Sequence, residues 1–163
     1  MKRLGIIALL TIFSLSGVMA QLIKVDQEVF GMDCAPCAYG LERGLKKMDG
    51  LESVTVSLND GKAYLKLASD NELTLQKIQK EVKNNGFSAK NAEVTLQGEL
   101  LKEGNEWKVK VNEETFIVSD DTPSDILSKL NPGNIQLKGL VKDEEDDELN
   151  GIWTIKILEV LTS

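Results

Sequence analysis

The chain has 163 residues, 42% hydrophobic and 28% charged, the balance of a soluble globular protein, which excludes both a disordered chain and a multi-span membrane protein. That length fits one medium domain or two small ones. With 26 acidic against 19 basic residues the net charge is −7, the wrong sign for tracking a phosphate backbone or an anionic membrane, so nucleic acid is not expected as a partner.

Residues 1–20 have the three parts of a secretory signal peptide. Lys2 and Arg3 give a positive start, Leu4 to Leu15 is an apolar run, and Val18-Met19-Ala20 offers small residues for cleavage after Ala20. The run is shorter than the ~20 residues a membrane span needs. The expected product is therefore exported, soluble in the periplasm or outside the cell, with no membrane insertion after cleavage.

Residues 21–95 predict the order strand, helix, strand, strand, helix, strand. Ile23, Val25 and Val29 alternate with Lys24, Asp26 and Glu28, the period of a half-buried strand. From Cys37 the apolar positions change to helical spacing (Ala38, Leu41, Leu45, Met48), and Asp49-Gly50 stops the helix. Val54, Val56 and Leu58 then alternate, Asn59-Asp60-Gly61 turns the chain, and Ala63 to Leu67 alternates again, which makes a hairpin. A second helix carries Leu75, Ile78 and Val82, with Asn71 or Ser69 as expected cap and Asn84-Asn85-Gly86 as its end. Phe87 to Val94 supplies the last strand. The order βαββαβ is that of a ferredoxin-like sandwich, with both helices on one face of a four-stranded antiparallel sheet.

Residues 96–163 contain strand candidates at Val94 to Leu101, Trp107 to Val111, Thr115 to Ser119, Ile135 to Val141 and Ile152 to Leu161, with one helix from Pro123 to Leu130 before the last two. This order suggests a small OB-like barrel. The expected fold class is thus α+β, a ferredoxin-like sandwich over 21–95 followed by a mostly-β unit over 96–163. The expected boundary, near Leu96 to Gly98, is a strand running from one unit into the next. Trp107 and Trp153 are expected in the barrel core, and the acidic run Asp143 to Glu148 as a solvated loop.

The only two cysteines, Cys34 and Cys37, lie between the first strand and first helix, two residues apart, so both sulfurs can address one small target. A first helical turn has unsatisfied backbone N–H groups and the positive end of the macrodipole, which favour the thiolate that binds metal. Gly31-Met32-Asp33-Cys34-Ala35-Pro36-Cys37 resembles the GMxCxxC signature of the heavy-metal-associated domain family, which includes periplasmic mercury-binding proteins, copper chaperones and the amino-terminal domains of metal-transporting P-type ATPases. Leu51 to Leu58 resembles that family's second strand, and Gly86-Phe87 the dipeptide before its last strand.

The resemblance implies Cys34 and Cys37 as metal ligands, Met32 as a buried plug behind the loop, and Phe87 as a side chain limiting solvent access. Asp33 is a candidate third ligand, since an aspartate there resembles the loops of zinc, cadmium and lead transporters. Zinc generally takes four ligands, and the chain has no histidine and no third cysteine. Two thiolates suit a soft ion, so one Hg(II) or Cu(I) per chain is favoured over Zn(II) or Cd(II). The resemblance implies a carrier or scavenger with no catalytic turnover, passing its ion to a membrane metal transporter or another thiol protein. Two other readings use the same cysteines. One is a disulfide, worth only about 2 kcal/mol for so short a loop; the other is a periplasmic thiol-disulfide oxidoreductase, for which Cys-Ala-Pro-Cys fits, whereas Asp33 and the lack of any proline between Pro36 and Pro123 do not.

Overall fold

Alternation in the first segment produces β1, Gln21–Phe30, in a computed structural model that describes residues 19–143 and 150–162. The expected leader therefore lies outside the described residues except for Met19 and Ala20. Helix α1 spans Ala35–Leu45, strand β2 Leu51–Ser57, strand β3 Lys62–Leu67 and helix α2 Leu75–Asn84. Strand β4 spans Ser88–Glu103. β1 lies between β3 and β4, both antiparallel to it, and β2 is the outer strand beside β3. α1 packs over β2, α2 packs over β1 and β4, and the helices touch each other. The sheet and its two helices are the expected ferredoxin-like sandwich, with Leu22, Val25, Leu41, Leu45, Leu65, Ile78 and Val82 buried between the layers.

The cap of α2 differs from the sequence expectation. Thr74 is the cap, and its hydroxyl accepts the Lys77 amide at 3.2 Å. Asn71 instead donates to the Leu22 and Ala68 carbonyls and accepts the Leu73 amide. Three residues lie between Asn71 and the first helical residue, so its short side chain ties the incoming loop to β1 and cannot reach the helix amides.

After β4 come β5, Glu106–Val111; β6, Glu114–Val118; the short helix α3, Ser124–Leu127; β7, Gly133–Val141; and β8, Ile152–Thr162. α3 is shorter than the expected 123–130 segment. β4 pairs with β5, β5 with β6, β6 with β8, β8 with β7, and β7 again with β4, so the five strands form a closed cycle. All these pairs are antiparallel except β6 with β8.

The two halves share β4. Residues 88–97 pair with β1, residues 99–103 pair with β5, and Gly98 stands at the change of partner. A Cβ at Gly98 would sit 2.4 Å from the Lys110 carbonyl oxygen, so only glycine permits β5 to approach there. The buried apolar side chains form one cluster running from Leu22 to Ile157. Trp153 belongs to that core; Trp107 is half-buried, with the Lys102 ammonium 5.1 Å from its ring centre. Among the described residues no helix is long and apolar enough to cross a membrane.

Candidate metal centre

Gly31, with φ of +89°, turns the chain out of β1 into the loop, a backbone conformation that side chains with a Cβ resist. Met32 then points inward and is 6% exposed, while Asp33, Ala35 and Pro36 stay on the surface. The inward methionine seats the loop on the core through an apolar side chain, and Asp33 remains in solvent.

Cys34 is the cap residue of α1. Its backbone is extended, and its Sγ accepts the Cys37 amide at 3.1 Å. Pro36 falls at the start of the helix, where the absence of an N–H costs nothing. Cys34 and Cys37 are both partly exposed, their Cα atoms 5.0 Å apart, and their sulfurs are joined as a disulfide. The pair is thus held together at the N-terminus of α1, but in its oxidised form. A thiolate pair requires two electrons and the opening of this bond.

Other side chains fix the orientation of α1. The Glu42 carboxylate accepts the Val56 amide from the outer edge of β2 at 3.0 Å and pairs with Lys46. Those two contacts, Lys46 first, hold the Glu42 carboxyl below its ordinary range. Sequence reading did not single out Glu42, since a surface glutamate four residues before a lysine looks like an ordinary helical ion pair. Phe87 is half-buried and packs on the core directly before β4, which begins opposite Phe30 at the loop end of the sheet.

Exposed apolar surface flanks the loop at Phe30 and Tyr39, which are 69% and 64% exposed; the Arg43 guanidinium lies 5.8 Å from the Tyr39 ring centre. The alternation phase of β1, with Val29 inward, already turned Phe30 outward. At the same end of the sheet the Asp143 carboxylate pairs with Lys90 at 2.7 Å, and its amide donates to Asn91 Oδ1 at 2.9 Å. Residues 144–148 of the acidic run lie outside the described residues. Among the described residues no group of three or more cysteine, histidine or acidic side chains is placed to hold a metal ion. Asp33 is adjacent to the pair in sequence without forming such a group.

Residues 28–88 match the family model of the heavy-metal-associated domain. No curated protein matches the chain. Among solved structures, a copper-binding domain from HMA7, a P-type ATPase, is 28% identical, with a TM-score of 0.37, covering 47% of this chain and 93% of that one. The CopZ metallochaperone is 21% identical, with a TM-score of 0.38, over 40% of this chain and 97% of its own. The yeast copper transporter domain Ccc2a, solved in apo and Cu(I)-loaded states, is also 21% identical, with a TM-score of 0.38, over 41% of this chain and 90% of its own. The segment 28–88, with β1, the cysteine loop, both helices and the turn into β4, is a heavy-metal-associated domain.

Proposed function

We propose that the chain is an exported carrier or scavenger that binds one soft metal ion between the reduced sulfurs of Cys34 and Cys37. The observation that carries this reading is the placement of both cysteines on the exposed first turn of α1 in a heavy-metal-associated domain. There the free amides and the positive end of the helix dipole stabilise two thiolates. Two sulfurs and no histidine favour Cu(I) or Hg(II), with Zn(II) or Cd(II) next; Asp33 is the side chain that could supply an oxygen to a harder ion.

Reduction of the disulfide by a dithiol donor gives two thiols, and metal binding then releases their protons. The ion leaves by thiolate exchange, an incoming sulfur from a transporter or thiol protein adding before an outgoing one departs. No step calls for a catalytic base or nucleophile. Met32 supports the loop from the core side and Phe87 limits solvent at its flank. The apolar, Lys-Arg-initiated residues 1–20 support export. For residues 96–163 we read an OB-type barrel, supported by the closed strand cycle and by its single parallel pair, β6 with β8.

The test is an anaerobic titration of the reduced chain with Cu(I) and with Hg(II), beside the Cys34→Ser, Cys37→Ser double variant. One equivalent bound by the parent and none by the variant is expected. Equal binding by both would overturn the reading.

A further inference from the structure

The barrel reaches into the metal-loop unit through one buried carboxylate. Glu114, the first residue of β6, is 2% exposed. Its Oε2 accepts the Leu75 amide at 2.8 Å and its Oε1 accepts the Gln76 amide at 2.9 Å, the first two amides of α2. Oε1 also accepts the indole N–H of Trp153 on β8 at 2.9 Å. The third amide, Lys77, goes to the Thr74 hydroxyl, so of the first three amides of α2 two are satisfied from the other unit and one from its own. Asn112 in the β5–β6 turn, with φ of +51°, presents its side chain to the Leu73 carbonyl beside the same turn.

Three N–H donors converge on Glu114 in a place shielded from water. An ordinary helix cap is local, made by a side chain within a few residues of the turn it closes. Here the acceptor comes from a strand 38 and 39 residues further along. The carboxylate is held by hydrogen bonds and by the helix dipole, with no ion pair at contact distance among the described residues, and Trp153 ties it to the barrel wall.

We propose that Glu114 is a latch that couples the two units, so that the barrel serves as the fixed support of the metal-loop unit and both unfold as one body. α2 begins at the latch and ends, ten residues later, just before Phe87 at the loop end of the sheet. A loosened first turn would free the rod that sets Phe87 against the core. The shared strand β4 fixes how the two sheets connect; the latch fixes the helical layer to the barrel. The coupling does not depend on metal.

Both tryptophans, Trp107 and Trp153, lie in the barrel half, so tryptophan fluorescence reports the barrel while amide NMR signals of α1 and β2 report the other unit. In the metal-free full chain the two should lose structure at the same denaturant concentration. Glu114→Ala should split them, the α1 and β2 signals disappearing before the tryptophan transition. Should that variant fail to fold, Glu114→Gln keeps the shape and one acceptor. In it the Leu75 and Gln76 amides should exchange about tenfold faster than in the parent, roughly the factor that one weakened hydrogen bond represents, while amides in the centre of β4 keep their protection. The proposal is overturned if the parent already shows two transitions, if Glu114→Ala shifts both probes together, or if the Leu75 and Gln76 amides of the parent exchange as freely as an open helix end.

Discussion

The N-termini of α1 and α2 are built from the same backbone chemistry and put to opposite uses. Each leaves amides without an intrahelical partner. In α1 the acceptor is the soft, partly exposed Sγ of Cys34, and the turn opens to solvent at the loop end of the sheet. In α2 the acceptors are the buried oxygens of Glu114 and Thr74, and the turn is closed at the other end by the barrel. The difference teaches that a helix start becomes a reactive site or a structural joint according to what covers it. An exposed turn leaves its acceptor free to change partner, whereas a covered one makes loss of the acceptor expensive.

The largest expected effect is on binding at the open terminus. Serine in place of both Cys34 and Cys37 should abolish uptake of Cu(I) and Hg(II) in titration, since a hydroxyl does not ionise at neutral pH. At the closed terminus, Glu114→Ala orphans three N–H donors, two of them buried. At about 1–3 kcal/mol each, the loss in unfolding free energy should reach at least about 3 kcal/mol, measured by denaturant titration. Thr74→Ala removes a single capping bond and should cost about 1 kcal/mol in the same measurement.

Acid sharpens the contrast further. Burial raises the Glu114 carboxyl above its ordinary value, although the Gln76 and Leu75 amides and the Trp153 indole pull the other way. A group whose folded pKa is raised binds its proton more tightly in the fold than in the unfolded chain. The contribution of Glu114 to stability is therefore greatest below its unfolded value of 4.5 and declines as pH rises through the raised folded value. Stability of the parent relative to Glu114→Gln should fall from pH 4 towards neutrality, and a flat difference would refute the assignment. The smallest expected effect is that of Cys34→Ser on the reduced fold. Serine is itself a good cap, so unfolding free energy should move by no more than about 0.5 kcal/mol while binding is lost, which separates ligand from cap at one position.

Much of the sandwich could be read from local patterns. Period-two alternation marked β1, β2 and β3, helical spacing marked Leu41 and Leu45 on α1 and Ile78 and Val82 on α2, and the cysteine loop stood between strand and helix where its signature placed it. The cap of α2 was misread because Asn71 and Thr74 both favour helix starts, and only the course of the loop decides between them. Gly98 fell within the expected boundary, yet its reason, the approach of the Lys110 carbonyl, belongs to pairing across the barrel.

The sequence alone determined most of the elements and the family resemblance of the first unit, because these depend on residues within a few positions of one another. The tertiary structure decided which strands β4 pairs with on each side of Gly98 and that Glu114 closes a helix of the other unit. It also decided that the two sulfurs stand as a disulfide at the start of α1. Each of those rests on a partner chosen in space: a strand edge, an orphan amide or an oxidised neighbour. A glutamate between Glu113 and Thr115 reads as another surface charge until the fold brings three N–H groups to it and takes the water away.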